Sequence, residues 1–170
     1  MTSQAAETLE IRRFSAADEQ GVIDVILPIQ RQEFGIAITA EDQPDLRAIP
    51  EFYQTGDGEF WVAAVGERIV GTIALKDIGG TEAALRKMFV ASDFRGREHG
   101  VATRLLDALL AHAEQRQVRA VYLGTTEKFL AAHRFYERNG FVEIARQDLP
   151  ASFPVMGVDT KFYVRRLAAV

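Results

Sequence analysis

Residues 84–113 change their hydrophobic period part-way, and that change constrains the fold more than any other feature of the chain. Ala84 to Val90 is an apolar run of strand length, broken only by Arg86 and Lys87. A basic loop follows, Ala91-Ser92-Asp93-Phe94-Arg95-Gly96-Arg97-Glu98-His99-Gly100. From there Val101, Ala102, Leu105, Leu106, Leu109, Leu110 and Ala113 recur at the spacing of one helix face. A strand that feeds an amphipathic helix through a glycine-bearing loop is the building unit of an α/β protein. The first turn of such a helix holds four N–H groups without intrahelical partners and about half a positive charge. Gly96 and Gly100 keep side chains out of the approach and the arginines add charge, so this terminus suits phosphate oxygens. Taken alone, an ordinary strand-to-helix turn with surface arginines explains the loop as well.

The rest of the chain fits around this unit. Leu9 to Arg13 alternates as a short strand, and Asp18 opens a helical pattern through Val22, Ile23, Val25, Ile26 and Ile29. Pro28 marks a kink or an early end of that helix. Residues 31–45 read as a loop, and Leu46 to Tyr53 as a second short helix. Phe60–Val65 and Ile69–Leu75, turned at Gly66-Glu67-Arg68, join the strand after Gly79-Gly80 in an antiparallel meander. Ala120-Val121-Tyr122-Leu123 is apolar without alternation, as in a strand covered on both faces. Thr126 is placed to cap a helix from about Glu127 to Arg138, closed by Asn139-Gly140. Val142–Ile144 and Lys161–Arg166 finish as strands. The predicted order is βααβββαβαββ, an α/β (α+β mixed) sheet with helices packed on it. No repeat or linker divides the sequence, so residues 1–170 read as one domain of ordinary size.

Composition removes several function classes. Apolar residues make up 48% and charged residues 26%, the balance of a globular protein rather than a disordered one. No uncharged stretch approaches the ~18 residues of a membrane span. The first thirteen residues carry two acids and no apolar core, so no signal peptide is expected and a cytoplasmic location is. With no cysteine there is no disulfide, thiolate metal site or cysteine nucleophile. His99, His112 and His133 are far apart in sequence, so no metal is expected. Phosphate-loop, dinucleotide, zinc-protease and serine-hydrolase motifs are all missing. A net charge of −4 argues against a nucleic-acid partner. The charge is uneven: Arg86, Lys87, Arg95, Arg97 and Arg104 cluster, whereas Glu41, Asp42, Asp45, Glu51, Asp57 and Glu59 stand against Arg47 alone. A solvated face is the ordinary reading of either run.

Two motifs carry a resemblance. Arg97-x-x-Gly100-x-Ala102 is similar to the R/Q-x-x-G-x-G/A acyl-coenzyme A loop of the GNAT superfamily of N-acyltransferases. Phe129-x-x-Ala132-His133-Arg134-Phe135-Tyr136-Glu137-Arg138-Asn139-Gly140-Phe141 resembles that family's N-x-x-A-x-x-[FL]-Y-E-x-x-G-F signature. Both occur in the family order and at the family separation. The resemblance implies a GNAT-type fold: a central, mostly antiparallel sheet with splayed strands, flanked by about four helices. It also implies acetyl-CoA as co-substrate and a homodimer formed through the C-terminal strands. The amides of Arg97 to Ala102 would hold the pyrophosphate, Arg97, His99 and Gly100 nearest, with Arg95, Gly96, Glu98, Val101 and Thr103 in the same stretch. The main chain of Met88, Phe89 and Val90 would pair with the pantetheine arm as an added strand. Ala132 and Phe135 would pack on that arm, and Tyr136 would point its hydroxyl at the thioester sulfur. Phe129 stands where the family often has Asn, so that hydrogen bond is lost or taken over by Thr125 or Thr126. Glu98, an acid in a phosphate loop, is expected to face solvent.

Attack of an amine on a thioester needs a neutral amine, a polarised carbonyl and a proton for the leaving thiolate. The resemblance assigns the oxyanion to a pantetheine-strand N–H, that of Phe89, and the acid to Tyr136, with direct transfer in a ternary complex. Glu82 or a water chain would serve as base. The acceptor would be a primary amine of a small molecule or peptide, contacted by Arg31, Glu33 and Phe34, near Gln30, the acidic 41–59 stretch and Phe153 to Tyr163. Those acids favour a cationic amine such as a polyamine; Arg31 could instead clamp a carboxylate. A non-catalytic acyl-CoA-binding module is the alternative: Phe129 and the unidentified base leave room for it, and Tyr136 argues against it.

Overall fold

The structure, a computed structural model, describes residues 8–96, 100–127 and 129–167. Its strands are β1 (Leu9–Arg13), β2 (Glu59–Val65), β3 (Arg68–Gly79), β4 (Glu82–Val90), β5 (Ala120–Thr125), β6 (Val142–Ile144) and β7 (Lys161–Arg166). They form one sheet in the order β1-β2-β3-β4-β5-β7-β6. Every neighbouring pair is antiparallel except β4–β5, which is parallel. The helices are α1 (Glu19–Pro28), α2 (Ile49–Phe52), α3 (Val101–Gln115) and α4 (Leu130–Arg138), so the predicted order of elements is the observed one.

Neighbouring side chains on a strand point to opposite faces, which shows how the helices are distributed. Phe60 meets Phe14 and Tyr53, with ring centroids 5.7 and 5.6 Å away, whereas Trp61 meets His112 of α3 at 5.2 Å. The strand register carries Trp61's face through Ile73, Leu85, Val121 and Leu123 to Tyr163. Tyr163 lies under α4, its ring 6.2 Å from His133 and 6.1 Å from Tyr136. So α3 and α4 share one face. The other face carries Phe60, Ala74, Arg86, Ala84 and Tyr122 and is covered by α1, α2 and the segment around Phe153. Glycines let the helices pack closely on the sheet. A Cβ on Gly71 would lie 3.0 Å from Leu105, and one on Gly21 would lie 2.7 Å from Ile69.

Two local outcomes refine the sequence reading. Pro28 lacks an N–H, α1 stops there, and residues Ile29–Glu33 continue as a π-helical turn in which the Phe34 N–H donates to the Ile29 carbonyl at 3.0 Å. Helix α4 begins at Leu130 rather than near Glu127. A turn precedes it, with the Phe129 N–H donating to the Thr126 carbonyl at 3.2 Å.

The feature that positions the site is the brevity of the parallel pairing. Strands β4 and β5 share only Glu82↔Ala120, Ala83↔Val121 and Ala84↔Tyr122. Beyond that point β4 runs on to Val90 and β5 to Thr125 with no mutual pairing, so the sheet opens into a wedge.

Candidate active site

At the mouth of the wedge β4 carries a bulge. Phe89 stands opposite Thr72 and Arg86 opposite Ala74, so Lys87 and Met88 together face Ile73. Lys87 takes φ +53°, and the Thr72 hydroxyl fastens the bulge by donating to the Lys87 carbonyl at 2.6 Å. The bulge resets which backbone groups face the opening. The Ala91 N–H donates to the Val70 carbonyl at 2.8 Å, and the Phe89 carbonyl lies against Gly71. Phe89 and Ala91 therefore turn their backbone groups toward β3, and those of Met88 and Val90 alternate toward the wedge. This corrects the assignment of the oxyanion to Phe89: its N–H belongs to the β3 side, and Met88 presents the amide at the opening. Phe89 contributes its ring instead.

The loop that follows is described only in part. Arg97, Glu98 and His99 lie outside the described residues. Gly100 caps α3 at φ +65°, and a Cβ there would meet no atom within 4 Å. Positive φ and open surroundings are what a backbone needs to admit an anion. Val101 is buried against the sheet, Ala102 half-buried, and Gly96 and Thr103 exposed. Arg95 is bound to protein groups: its Nε donates to the Val90 carbonyl at 2.8 Å, and its guanidinium grips the Glu33 carboxylate at 2.5 and 3.0 Å. Glu33 thereby ties the π-turn to the loop.

From the α4 side, Tyr136 reaches β4. Its hydroxyl lies 3.9 Å from the Met88 sulfur, and its ring packs against Phe135, Phe141 and Tyr163. Burial pushes the phenol up to about 12, so it stays protonated at neutral pH. Phe135 and Ala132 are half-buried beside it. Phe129 stacks on Phe34 with centroids 4.0 Å apart, and Phe34 lies 6.5 Å from Phe89. Three aromatic rings thus line the opening where the family often has an amide side chain.

The opposite side of the sheet holds a network with no precedent in the motif reading. The Lys87 ammonium, side chain 8% exposed, lies 3.5 Å from the Asp45 carboxylate, side chain 9% exposed, and also donates to Gln43. Asp45 accepts from the Tyr53 hydroxyl at 2.7 Å, and Gln43 exchanges reciprocal bonds with Gln30. Burial pulls the Lys87 pKa down against the pull of Asp45. Arg86 points the same way, its guanidinium 5.6 and 5.9 Å from the Phe52 and Tyr53 ring centres. The basic cluster of the sequence is therefore split, with Arg86 and Lys87 directed away from the phosphate loop. The only advance signal was two consecutive cations inside an apolar strand.

Three of the six acids in the 41–59 stretch are committed within the protein. Asp42 accepts from the Thr39 N–H and hydroxyl, Asp45 holds Lys87, and Glu59 accepts from Gln54 and the Phe60 N–H. Arg31 is exposed on the π-turn after α1, in a shallow groove with Leu27, Pro28 and Gln32. Glu82 accepts from the Tyr122 hydroxyl at 2.9 Å at the closed end of the wedge. Seven residues separate it from Phe89, roughly 20 Å along the strand, so it is no base for this site. Among the described residues no group of His, Asp or Glu could hold a metal.

Comparison with known proteins agrees with this geometry. A profile of the "Acetyltransferase (GNAT) family" matches residues 23–141. A GNAT-family acetyltransferase structure from Staphylococcus aureus is 40% identical, with a TM-score of 0.89 over 95% of this chain and 100% of that one. An acetyltransferase structure from Streptococcus agalactiae is 30% identical, with a TM-score of 0.88 over 94% and 98%. Among curated proteins, N-acetylaspartate synthetase of Xenopus tropicalis is 35% identical over 104 residues, 59% of this chain and 37% of that protein. The chain thus spans little more than a third of the length of that relative. A strand-splayed sheet, a glycine-capped helix at its mouth and these matches lead to one conclusion: the chain belongs to the GNAT family of acetyltransferases.

Proposed function

We propose that this protein transfers an acetyl group from acetyl-CoA directly to the primary amine of a small molecule. The observation that carries the reading is the wedge itself, with backbone groups of Met88 and Val90 on one wall and the Tyr136 hydroxyl reaching the other side of Met88. An extended pantetheine arm fits there as a strand, bound by main-chain hydrogen bonds. The Met88 N–H would stabilise the oxyanion of the attacked carbonyl. Tyr136 would donate to the departing sulfur. A phenol held near 12 gives up its proton less readily than a thiol of pKa about 8.5, so its first contribution is a hydrogen bond that strengthens as the thiolate forms. With no cysteine in the chain, direct transfer in a ternary complex is favoured over a thioester on the enzyme. The names of the N-acetylaspartate synthetases support a small-molecule acceptor over a peptide.

The same proposal includes a cytoplasmic homodimer. Edge strand β6, with Val142 64% exposed, supports an apolar association surface near the C-terminal strands. Light scattering that finds only the 18.9 kDa monomer at micromolar concentration would remove the dimer. The activity is tested by incubating the protein with acetyl-CoA and a panel of amines and following thiol release. Turnover with at least one amine is expected. Acetyl-CoA binding without turnover of any amine would favour the non-catalytic module.

A further inference from the structure

On the face covered by α1, α2 and the segment before β7, two unlike charges stand on the two walls of the wedge. The parallel register pairs Ala84 with Tyr122, so two residues further along the same face come Arg86 on β4 and Gly124 on β5. These positions have separated, and each wall presents one ionic group there. On β5 the group is the Asp159 carboxylate, folded over Gly124 so closely that a Cβ there would lie 2.5 Å from Asp159 Oδ2. Asp159 is held by the Met156 N–H at 2.9 Å, and the Thr160 N–H is tied to the Thr125 carbonyl at 2.9 Å. On β4 the group is the Arg86 guanidinium.

Arg86 is half-buried and makes no salt bridge among the described residues; its one polar contact is the Met156 sulfur at 3.5 Å. Most of its five N–H donors have no acceptor there, although the fork geometry suits a carboxylate. Lys87 next to it is not in the same condition, because Asp45 and Gln43 already hold it. Asp159 is half-buried, and burial raises its pKa above the usual carboxylate range against the pull of Arg86 and Arg146. A carboxylate in that condition accepts a proton more readily than a surface one.

We propose that the acceptor is an amino acid, its carboxylate bound by Arg86 and its amine by Asp159. The inference rests on the acetyl-transfer reading. It replaces the expectation of a polyamine, which depended on an acidic stretch of which Asp42, Asp45 and Glu59 are bonded within the protein. Asp159 takes one proton from the acceptor ammonium. The nitrogen lone pair forms the C–N bond, and the C–S bond breaks with its electrons on sulfur, where the Tyr136 hydroxyl donates a hydrogen bond to the forming thiolate. The nitrogen loses its second proton to solvent, the thiolate takes up one from solvent, and Asp159 releases its proton to water.

The test pairs each amino acid with its carboxamide and with the amine lacking the carboxylate, acetyl-CoA being the donor in every case. The amino acid is expected to exceed both counterparts by about 10²-fold or more in kcat/KM, since a site built around a polar group rejects an analogue that lacks it. Arg86→Gln should raise KM for the amino acid and bring its ratio to the carboxamide toward one; Arg86→Lys should restore part of the preference. Asp159→Asn should lower kcat as well. A merely structural role would lower all acceptors together and leave the ratio unchanged. Equal turnover of amino acid and carboxamide, or a preference that survives Arg86→Gln, overturns the inference and leaves acetyl transfer standing. A protein that binds acetyl-CoA and acetylates nothing overturns acetyl transfer, and this inference with it.

Discussion

Tyr136→Phe separates chemistry from architecture. It deletes one oxygen whose only hydrogen-bond partner among the described residues is the Met88 sulfur at 3.9 Å, a weak acceptor at long range. The ring keeps its edge contacts to Phe135 and Phe141, at 5.8 and 5.7 Å, so stability should change by less than about 1 kcal/mol. Coenzyme A affinity should hold for the same reason. The rate should not. Loss of a positioned donor to the leaving group typically costs 10²- to 10⁴-fold, and a water able to reach the sulfur places this case near 10²- to 10³-fold, about 3–4 kcal/mol of barrier. The fall should appear equally in kcat and kcat/KM, as for an interaction formed only in the transition state. Thiol release gives the rates, calorimetry the affinity and urea unfolding the stability. If Tyr136→Phe turns over at the wild-type rate while chemistry is rate-limiting, the hydroxyl has no part in the reaction. A loss of affinity equal to the loss of rate would instead make Tyr136 a packing residue.

Two further outcomes follow from backbone and burial. Gly100→Val puts a branched side chain at φ +65°, a strain of about 1–2 kcal/mol, into space open for phosphate, and should abolish the rise in melting temperature that acetyl-CoA gives. Gly79→Val, at φ +88° in equally open surroundings but at the closed end of the wedge, should keep that rise; a Gly100→Val protein that also keeps it would refute the loop assignment. In alkali, Tyr53 and Tyr136 hold their protons above the unfolded value near 10, so the unfolded chain ionises first. Stability should be intact below pH 10 and fall above it by roughly 1.4 kcal/mol per pH unit for each tyrosine; urea midpoints that stay level up to about pH 11 would contradict their burial.

Local signals read well in this chain. The period of α3, the alternation of β1 and the turns at Gly66 and Gly79-Gly80 each depend on residues adjacent in sequence, and each element appeared where expected. The two motifs located the wedge because glycine, aromatic and loop positions are tied to local geometry. What escaped was long-range or conformational. Nothing about lysine announces φ +53°, so the bulge that turns Met88 rather than Phe89 toward the opening had no sequence mark. The Lys87–Asp45 pair joins residues 42 positions apart, and only tertiary packing shows that an acidic run is bonded inward. Asp159 went unnoticed for the same reason: it matters through Gly124, which belongs to another strand.

Three residue pairs are a short seam for a seven-stranded sheet. On one side of it β1 to β4 form a continuous antiparallel block, and on the other β5, β7 and β6 form a smaller one. Across the seam little but those pairs and the packed helices keeps the blocks in register. A molecule seated in the wedge as an extra strand would bridge backbone to backbone where the protein does not bridge itself. Donor occupancy would thereby add to the mechanical continuity of the sheet, and a fold closed by its own substrate would unfold more cooperatively with it than without it.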